Sequence, residues 1–150
     1  MFGAEYLPFV IASASILFLL VTKSFLQNIK MLPHGVLSLL FAVVLDKSLN
    51  KIIISQRPFV VEEVMPLFPH IPDNGFPSEH TLFVCIIASI VFTTDRKAGA
   101  ILWFGAVLVG VCQVAAKVHH FVDVVGAALI AIISTIVGYY CVKMQSGSVE

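Results

Sequence analysis

GAILWFGAVLVGVCQVAAKV at positions 99–118 and FVDVVGAALIAIISTIVGYYCV at 121–142 are two long apolar runs with only His119 and His120 between them. A helix rises about 1.5 Å per residue and needs roughly 20 mostly apolar residues to cross the hydrocarbon core of a bilayer. Both runs have that length. They are continuous rather than alternating, which fits helices and not the strands of a membrane barrel. Working outward, similar runs lie at 77–94, 36–54 and 7–22, the first and third of the five being the shorter. The reading is an all-α fold: a polytopic membrane bundle of about five transmembrane helices, forming one integral-membrane domain over residues 1–150.

Composition agrees. Of 150 residues, 59% are hydrophobic and 12% charged, with a mean hydropathy of +0.99. Soluble domains are about 45–50% apolar and about 25% charged, so this chain falls outside that class. A net charge of +0 leaves no basic face for nucleic acid. Cys85, Cys112 and Cys141 are odd in number and sit inside apolar runs, so they read as small buried hydrophobes rather than a disulfide framework. The first run reads as a retained anchor. Its head carries Glu5 in place of a basic cluster, and no small-residue cleavage site follows it.

The linkers are unequal. Residues 94–98 form a tight connection, whereas 55–76 is long and holds Pro58, Pro66, Pro69, Pro72 and Gly75; between the first two runs, Pro33-His34-Gly35 reads as a break. With five spans, one side carries Lys23, Lys30, Arg96, Lys97 and Lys143, and the other Lys47, Lys51, Arg57 and Lys117. Three of the second set belong to a candidate site, so the first side is assigned to the cytoplasm and the long loop to the outside.

Polar residues suited to phosphate chemistry gather on that second side. Lys51 and Arg57 lie at the end of the second run, Ser78 and His80 open the third, and His119, His120 and Asp123 lie where the fourth joins the fifth. Up-down alternation brings all three groups to one membrane face whatever the absolute orientation. Ionisable groups near the bilayer are costly and point to function.

Arg57-Pro58, Pro77-Ser78-Glu79-His80, and His119 followed four positions later by Asp123 resemble the three signature motifs of the type 2 phosphatidic acid phosphatase superfamily. The resemblance covers roughly residues 50–126. Arg-Pro-Phe followed by Phe-Pro-Ser-acid-His is most similar to the undecaprenyl-diphosphate phosphatases of the bacitracin-resistance type. The chain departs from the family pattern at Asn50, where a lysine is usual (Lys51 stands one place late), at Glu79 in place of glycine, and at Cys112-Gln113 in place of Ser-Arg. The family has six spans, one more at the N-terminus than counted here.

The resemblance implies an integral-membrane lipid phosphatase or diphosphatase in a bacterial plasma membrane, with its site on the extracytoplasmic face. His119 would be the nucleophile and form a phosphohistidine; Asp123, one helical turn on, would hold the other ring nitrogen; His80 would act as general acid and then base. Arg57 would clamp the phosphate, with Ser78, Lys51 and Gln113 completing the cradle and Lys117 restoring the charge lost at Gln113. No cofactor or metal is expected. The partners are a lipid phosphate and membrane lipids.

Each residue also has a plainer reading. His119 and Asp123 could be a structural pair sealing a helix end, or with His80 could ligate zinc or manganese. Lys47, Lys51 and Lys117 could snorkel to headgroups, and Arg57 could anchor a helix end there. Ser78 is an ordinary helix-start residue. His34, His70 and His120 read as interfacial or loop residues, and Glu62-Glu63 as a solvated loop face. Glu79 and Gln113 favour the alternative function, a protein of the same fold that binds a lipid phosphate with little or no turnover.

Overall fold

A computed structural model describes residues 32–67 and 70–147. The expected span at 7–22, with Lys23 and Lys30, lies outside the described residues. Five helices follow in order: α1 (Leu32–Ile52), the short α2 (Pro58–Val61), α3 (Glu79–Thr94), α4 (Arg96–Ala115) and α5 (Phe121–Gly147). Helices α1, α4 and α5 are long and apolar enough to cross a membrane, and α3 is a shorter apolar helix of 16 residues. The chain is thus an all-helical integral-membrane protein, as its composition required.

Two expected boundaries shift. Pro33-His34-Gly35 is no break, because helix α1, described over Leu32–Ile52, runs through it. Helix α4 ends at Ala115, short of the expected 118. It closes in a Schellman arrangement: the Lys117 N–H donates to the Val114 carbonyl at 3.0 Å, and the Val118 N–H to the Gln113 carbonyl at 3.2 Å. Lys117 takes the left-handed conformation this cap requires, with φ of 60°.

Helix α3 is the centre of the bundle. Its Val84, Cys85, Ile86 and Leu82 pack with Ala106 and Val109 of α4, Ala127, Ile130 and Ala131 of α5, and Ala42 of α1. The outward faces carry Leu40 and Val44 of α1, Ile101 and Phe104 of α4, and Ile133 and Ile136 of α5. Apolar groups exposed along every long helix are what a lipid solvent permits. With no hydrophobic drive between helices in lipid, close backbone approach supplies the packing, and small residues mark it. A Cβ on Gly138 would strike the Ser38 hydroxyl and backbone where α1 crosses α5. At the far end, Asp95 caps α4 by accepting the Lys97 and Ala98 N–H groups at 2.9 and 3.0 Å. This tight turn makes α3 and α4 antiparallel neighbours. The end of α1, the start of α3, the end of α4 and the start of α5 therefore meet at one face.

Candidate active site

At that face the linker between α1 and α3 folds back over the helix ends. Asn74 fastens it. Its Oδ1 accepts the Ser55 N–H at 2.8 Å, and its Nδ2 donates to the carbonyls of Asn50 at 2.7 Å and Ile53 at 2.8 Å. Asn50 Nδ2 in turn donates to the Phe76 carbonyl at 2.6 Å. A second set of bonds ties the linker to the end of α4, where the Phe59 N–H donates to the Lys117 carbonyl at 3.1 Å. The Leu67 N–H reaches the Ala116 carbonyl at the C-cap at 3.5 Å; carbonyls at a helix end have no partner within the helix, so the linker satisfies the α4 cap while being positioned by it.

These fastenings enclose a cavity of about 380 Å³ lined by Lys47, Asn50, Arg57, His70, Asp73, Glu79, His80 and His119, among others. His119 stands two residues ahead of α5. The cap of α4 presents it, since the Gln113 carbonyl that accepts from Val118 also takes the His119 N–H at 3.4 Å. The ring is 3% exposed and its protonation is legible from its neighbours. Nδ1 lies 2.9 Å from the Gly75 carbonyl, which can only accept, so Nδ1 carries the proton. Nε2 lies 3.3 Å from Arg57 Nη1, which can only donate, so Nε2 keeps its lone pair and points at the guanidinium. Gly75 is closely fitted there: a Cβ would lie 3.2 Å from the Ser55 carbonyl oxygen and 3.3 Å from Asp123 Oδ2.

Asp123 is fully buried, but the expectation that it grips the second ring nitrogen is corrected. Its Oδ2 is 3.7 Å from His119 Nδ1, an ion-pair distance and too long for a hydrogen bond. The same oxygen accepts the His120 N–H at 2.8 Å. Asp123 is the third residue of α5, so this is the reach-back half of a capping box, with the acid also favoured by the helix dipole. His119 is not on the helix, so the one-turn spacing does not bring the two side chains within hydrogen-bond distance. The Gly75 carbonyl orients the ring, and Asp123 supplies negative charge behind it.

Arg57 is 6% exposed. Its Nε donates to Asp73 Oδ1 at 2.7 Å and its Nη1 to the Val118 carbonyl at 3.1 Å. His80 lines the same cavity from the first turn of α3. The remaining expected cradle residues lie elsewhere. Lys51 follows Asn50 by about 100° around the helix, is exposed, and does not line the cavity. Ser78 is buried with its hydroxyl 3.0 Å from that of Thr81. Gln113 is buried beneath the α4 cap. Lys117 is not on the helical face of Gln113, because α4 has already ended; its Nζ lies 2.9 Å from Glu62 Oε2, outside the cavity lining. Among the described residues, no three His, Cys, Asp or Glu side chains converge to hold a metal ion.

Four lining residues were missed or read as bystanders. Lys47 lies one turn before Asn50 and Lys51, and its Nζ is 2.9 Å from Glu79 Oε1; the i,i+3 spacing to Asn50 was the available signal. Asp73 and Asn74 carry no signal beyond their place in a long loop. His70 stacks edge-on to His119 with ring centres 6.4 Å apart. Partial burial, and then the charge of Arg57, hold His70 below the usual histidine range, so it is neutral at pH 7.

The pattern of the PAP2 superfamily matches residues 9–146. The chain is 28% identical over 136 residues to the bacitracin transport permease protein BcrC of Bacillus licheniformis, covering 90% of this chain and 66% of that one. It is 33% identical over 91 residues to the undecaprenyl-diphosphatase BcrC of Bacillus subtilis (strain 168), covering 61% of this chain and 47% of that one. It therefore spans just under two thirds of the first relative and about half of the second. Among solved structures, Aquifex aeolicus LpxE superposes with a TM-score of 0.70 at 28% identity, over 91% of this chain and 87% of that chain. A PAP2-type phosphatidylglycerolphosphate phosphatase from Bacillus subtilis gives 0.56 at 23% identity, over 97% and 79%, and shows the shared fold alone.

Proposed function

The chain belongs to the PAP2 superfamily, and from that premise and the cavity we propose that it is a metal-independent lipid phosphatase, with undecaprenyl diphosphate the favoured substrate. The observation that carries this reading is the His119 ring, pinned through Nδ1 to Gly75 with its Nε2 lone pair aimed at Arg57. A buried, neutral imidazole held this way is a nucleophile beside a phosphate clamp.

In the first step Nε2 attacks the terminal phosphorus, an N–P bond forms, and the bond from phosphorus to the bridging oxygen breaks. His80 gives its proton to the departing lipid phosphate. In the second step water attacks the phosphohistidine and gives its proton to His80; inorganic phosphate leaves and both histidines are restored. Arg57 neutralises the charge spread over the phosphoryl oxygens, which is most of what in-line transfer asks of a protein. Asp123 stabilises the ring as it becomes cationic. The substrate comes from the name of the Bacillus subtilis relative and from the acid at Glu79.

Phosphate release from undecaprenyl diphosphate by the detergent-purified chain tests this directly. Release should persist in EDTA and be accompanied by an acid-labile phosphorylated histidine. Activity that vanishes in EDTA and returns with zinc, manganese or magnesium would replace the mechanism with a metal-assisted one. A second reading, a lipid-phosphate binder with little turnover, draws on Asp73 occupying the Arg57 Nε and on a buried Gln113 where the family has arginine; tight lipid binding without release would select it.

The site is proposed to face outward. Arg96, Lys97 and Lys143 lie at the opposite end of the bundle, which suits the cytoplasmic side. Met65 is 94% exposed in the long linker. Met65→Cys should react with an impermeant maleimide in intact cells and Arg96→Cys should not; the reverse labelling would place the site in the cytoplasm.

A further inference from the structure

The cavity has a second cationic pole that the cleavage chemistry leaves unused. Lys47 projects from α1 into the lining shared with Pro77, Glu79, His80 and His119. Its Nζ lies 2.9 Å from Glu79 Oε1 and 3.2 Å from Asp46 Oδ2. A lysine near a bilayer surface would ordinarily extend to the headgroups; these carboxylates hold this one over the cavity. Asn50, its neighbour on the same wall, gives one amide proton to the Phe76 carbonyl and carries no charge. The Lys47 ammonium is thus the cationic donor that α1 places in the cavity lining.

The two poles are held differently. Arg57 is buried, with a half-exposed Asp73 on its Nε, whereas Lys47 and its partner Glu79 are both exposed. An ion pair open to water on both sides contributes little. A polyanionic ligand can take the place of the Glu79 carboxylate at small cost, gaining a charge-assisted bond in return. The poles come from different elements: Arg57 from the linker beside His119, Lys47 from α1 against the start of α3. Two separate cations around one cavity suit a ligand with two linked anionic groups.

We propose that Lys47 is a specificity residue that binds the second phosphoryl group of a diphosphate, the one that departs with the lipid, while Arg57 and His119 engage the terminal group. Glu79 is its positioning residue, keeping the ammonium over the cavity when the site is empty. The inference rests on the phosphatase reading above and deepens it, since it makes the site selective for a diphosphate over a monophosphate.

The test uses two simple probes, inorganic diphosphate and orthophosphate, titrated calorimetrically into the full chain in detergent. The wild-type chain should bind diphosphate at least about tenfold more tightly than orthophosphate. Lys47→Met should remove that preference, weakening diphosphate about tenfold, or ~1.4 kcal/mol, while leaving orthophosphate within about twofold. Unchanged orthophosphate binding also reports that the variant is folded, and Lys47→Arg should restore most of the preference. The proposal is overturned if the wild-type chain shows no preference, if Lys47→Met keeps it, or if both anions weaken together. Lipid phosphate release is measured on the same samples. No turnover with a Lys47-dependent preference would count against the phosphatase reading and leave this assignment standing. Normal turnover with a Lys47-independent preference would do the reverse.

Discussion

The two walls of the cavity differ in how firmly they are held. Around His119, backbone carbonyls fix the polar groups: that of Gly75 holds the ring, that of Gln113 its N–H, and that of Val118 holds Arg57, whose Nε also donates to the half-exposed Asp73. Around Lys47, the ammonium and its Glu79 partner are 63% and 72% exposed, with the buried Asp46 carboxylate 3.2 Å from the ammonium. The first wall is preorganised, which is what stabilising a transition state requires. The second can yield to a ligand, which is what selection among headgroups requires. Substitutions on the buried wall should therefore depress the rate constant, and those on the exposed wall should change which anion binds.

The sharpest break is at His119. His119→Ala removes the nucleophile and should lower phosphate release at least about a thousandfold, ~4 kcal/mol of barrier, with the chain still folded and inserted. The check is release under substrate saturation, with circular dichroism for the fold. Near-normal release would end the proposed mechanism. Next comes Arg57→Lys, which keeps the charge and loses the planar fork. It also loses the geometry that serves Asp73, Val118 and His119 at once. A fall in kcat of about a hundredfold is expected, in the range for losing one preorganised donor; a change confined to KM would move Arg57 to the adaptable wall.

A smaller effect sharpens the role of the linker. Gly75→Ala would bring a methyl group to 3.2 Å from the Ser55 carbonyl oxygen and 3.3 Å from Asp123 Oδ2. Both neighbours are held, so the carbonyl that orients His119 must move by a few tenths of an ångström. Misplacement of about 1 Å can cost about a hundredfold, so a loss of about tenfold in kcat is expected. Unchanged kcat would show that Asp123, and not Gly75, governs the ring.

How much of this was readable beforehand follows from where the information sits. The spans were legible because an apolar run of membrane length has few other uses, and α4 and α5 fell close to where their runs predicted. His119, His80, Asp123 and Arg57 were legible because their order and spacing resemble a known set. What spacing alone could not reveal was which groups touch. Asp123 stands four residues from His119, yet the helix begins between them, so the ring turns to a backbone carbonyl from another segment. Asn74 and Asp73 act through partners 16 to 24 residues away, and such pairings arise only once the linker has folded onto the bundle. Lys51 and Lys47 are both plausible on a helical wheel, and only the packing of α1 against α3 chooses between them.

Lys117 marks the outer limit of the buried wall and should show the smallest effect. The sequence gives it a role in phosphate binding if α4 continues to Val118. The helix instead stops at Ala115, and Lys117 becomes the left-handed residue of the cap, its side chain turned to Glu62. Both partners of that pair are close to half exposed, so its loss should cost little. Lys117→Ala should therefore leave phosphate release within about twofold, under ~0.5 kcal/mol of barrier. The backbone makes a separate demand. A left-handed residue with a Cβ is strained by about 1–2 kcal/mol, whereas glycine is free of that strain but loses more chain entropy on folding. Lys117→Gly should thus be more stable than Lys117→Ala by up to about 1 kcal/mol, read as a higher midpoint of thermal unfolding in detergent, since neither variant keeps the ion pair. Should Lys117→Ala instead cripple release, and Gln113→Arg added to it restore activity, the lysine reaches the phosphate after all and the firm wall extends one residue beyond His119's neighbour Val118.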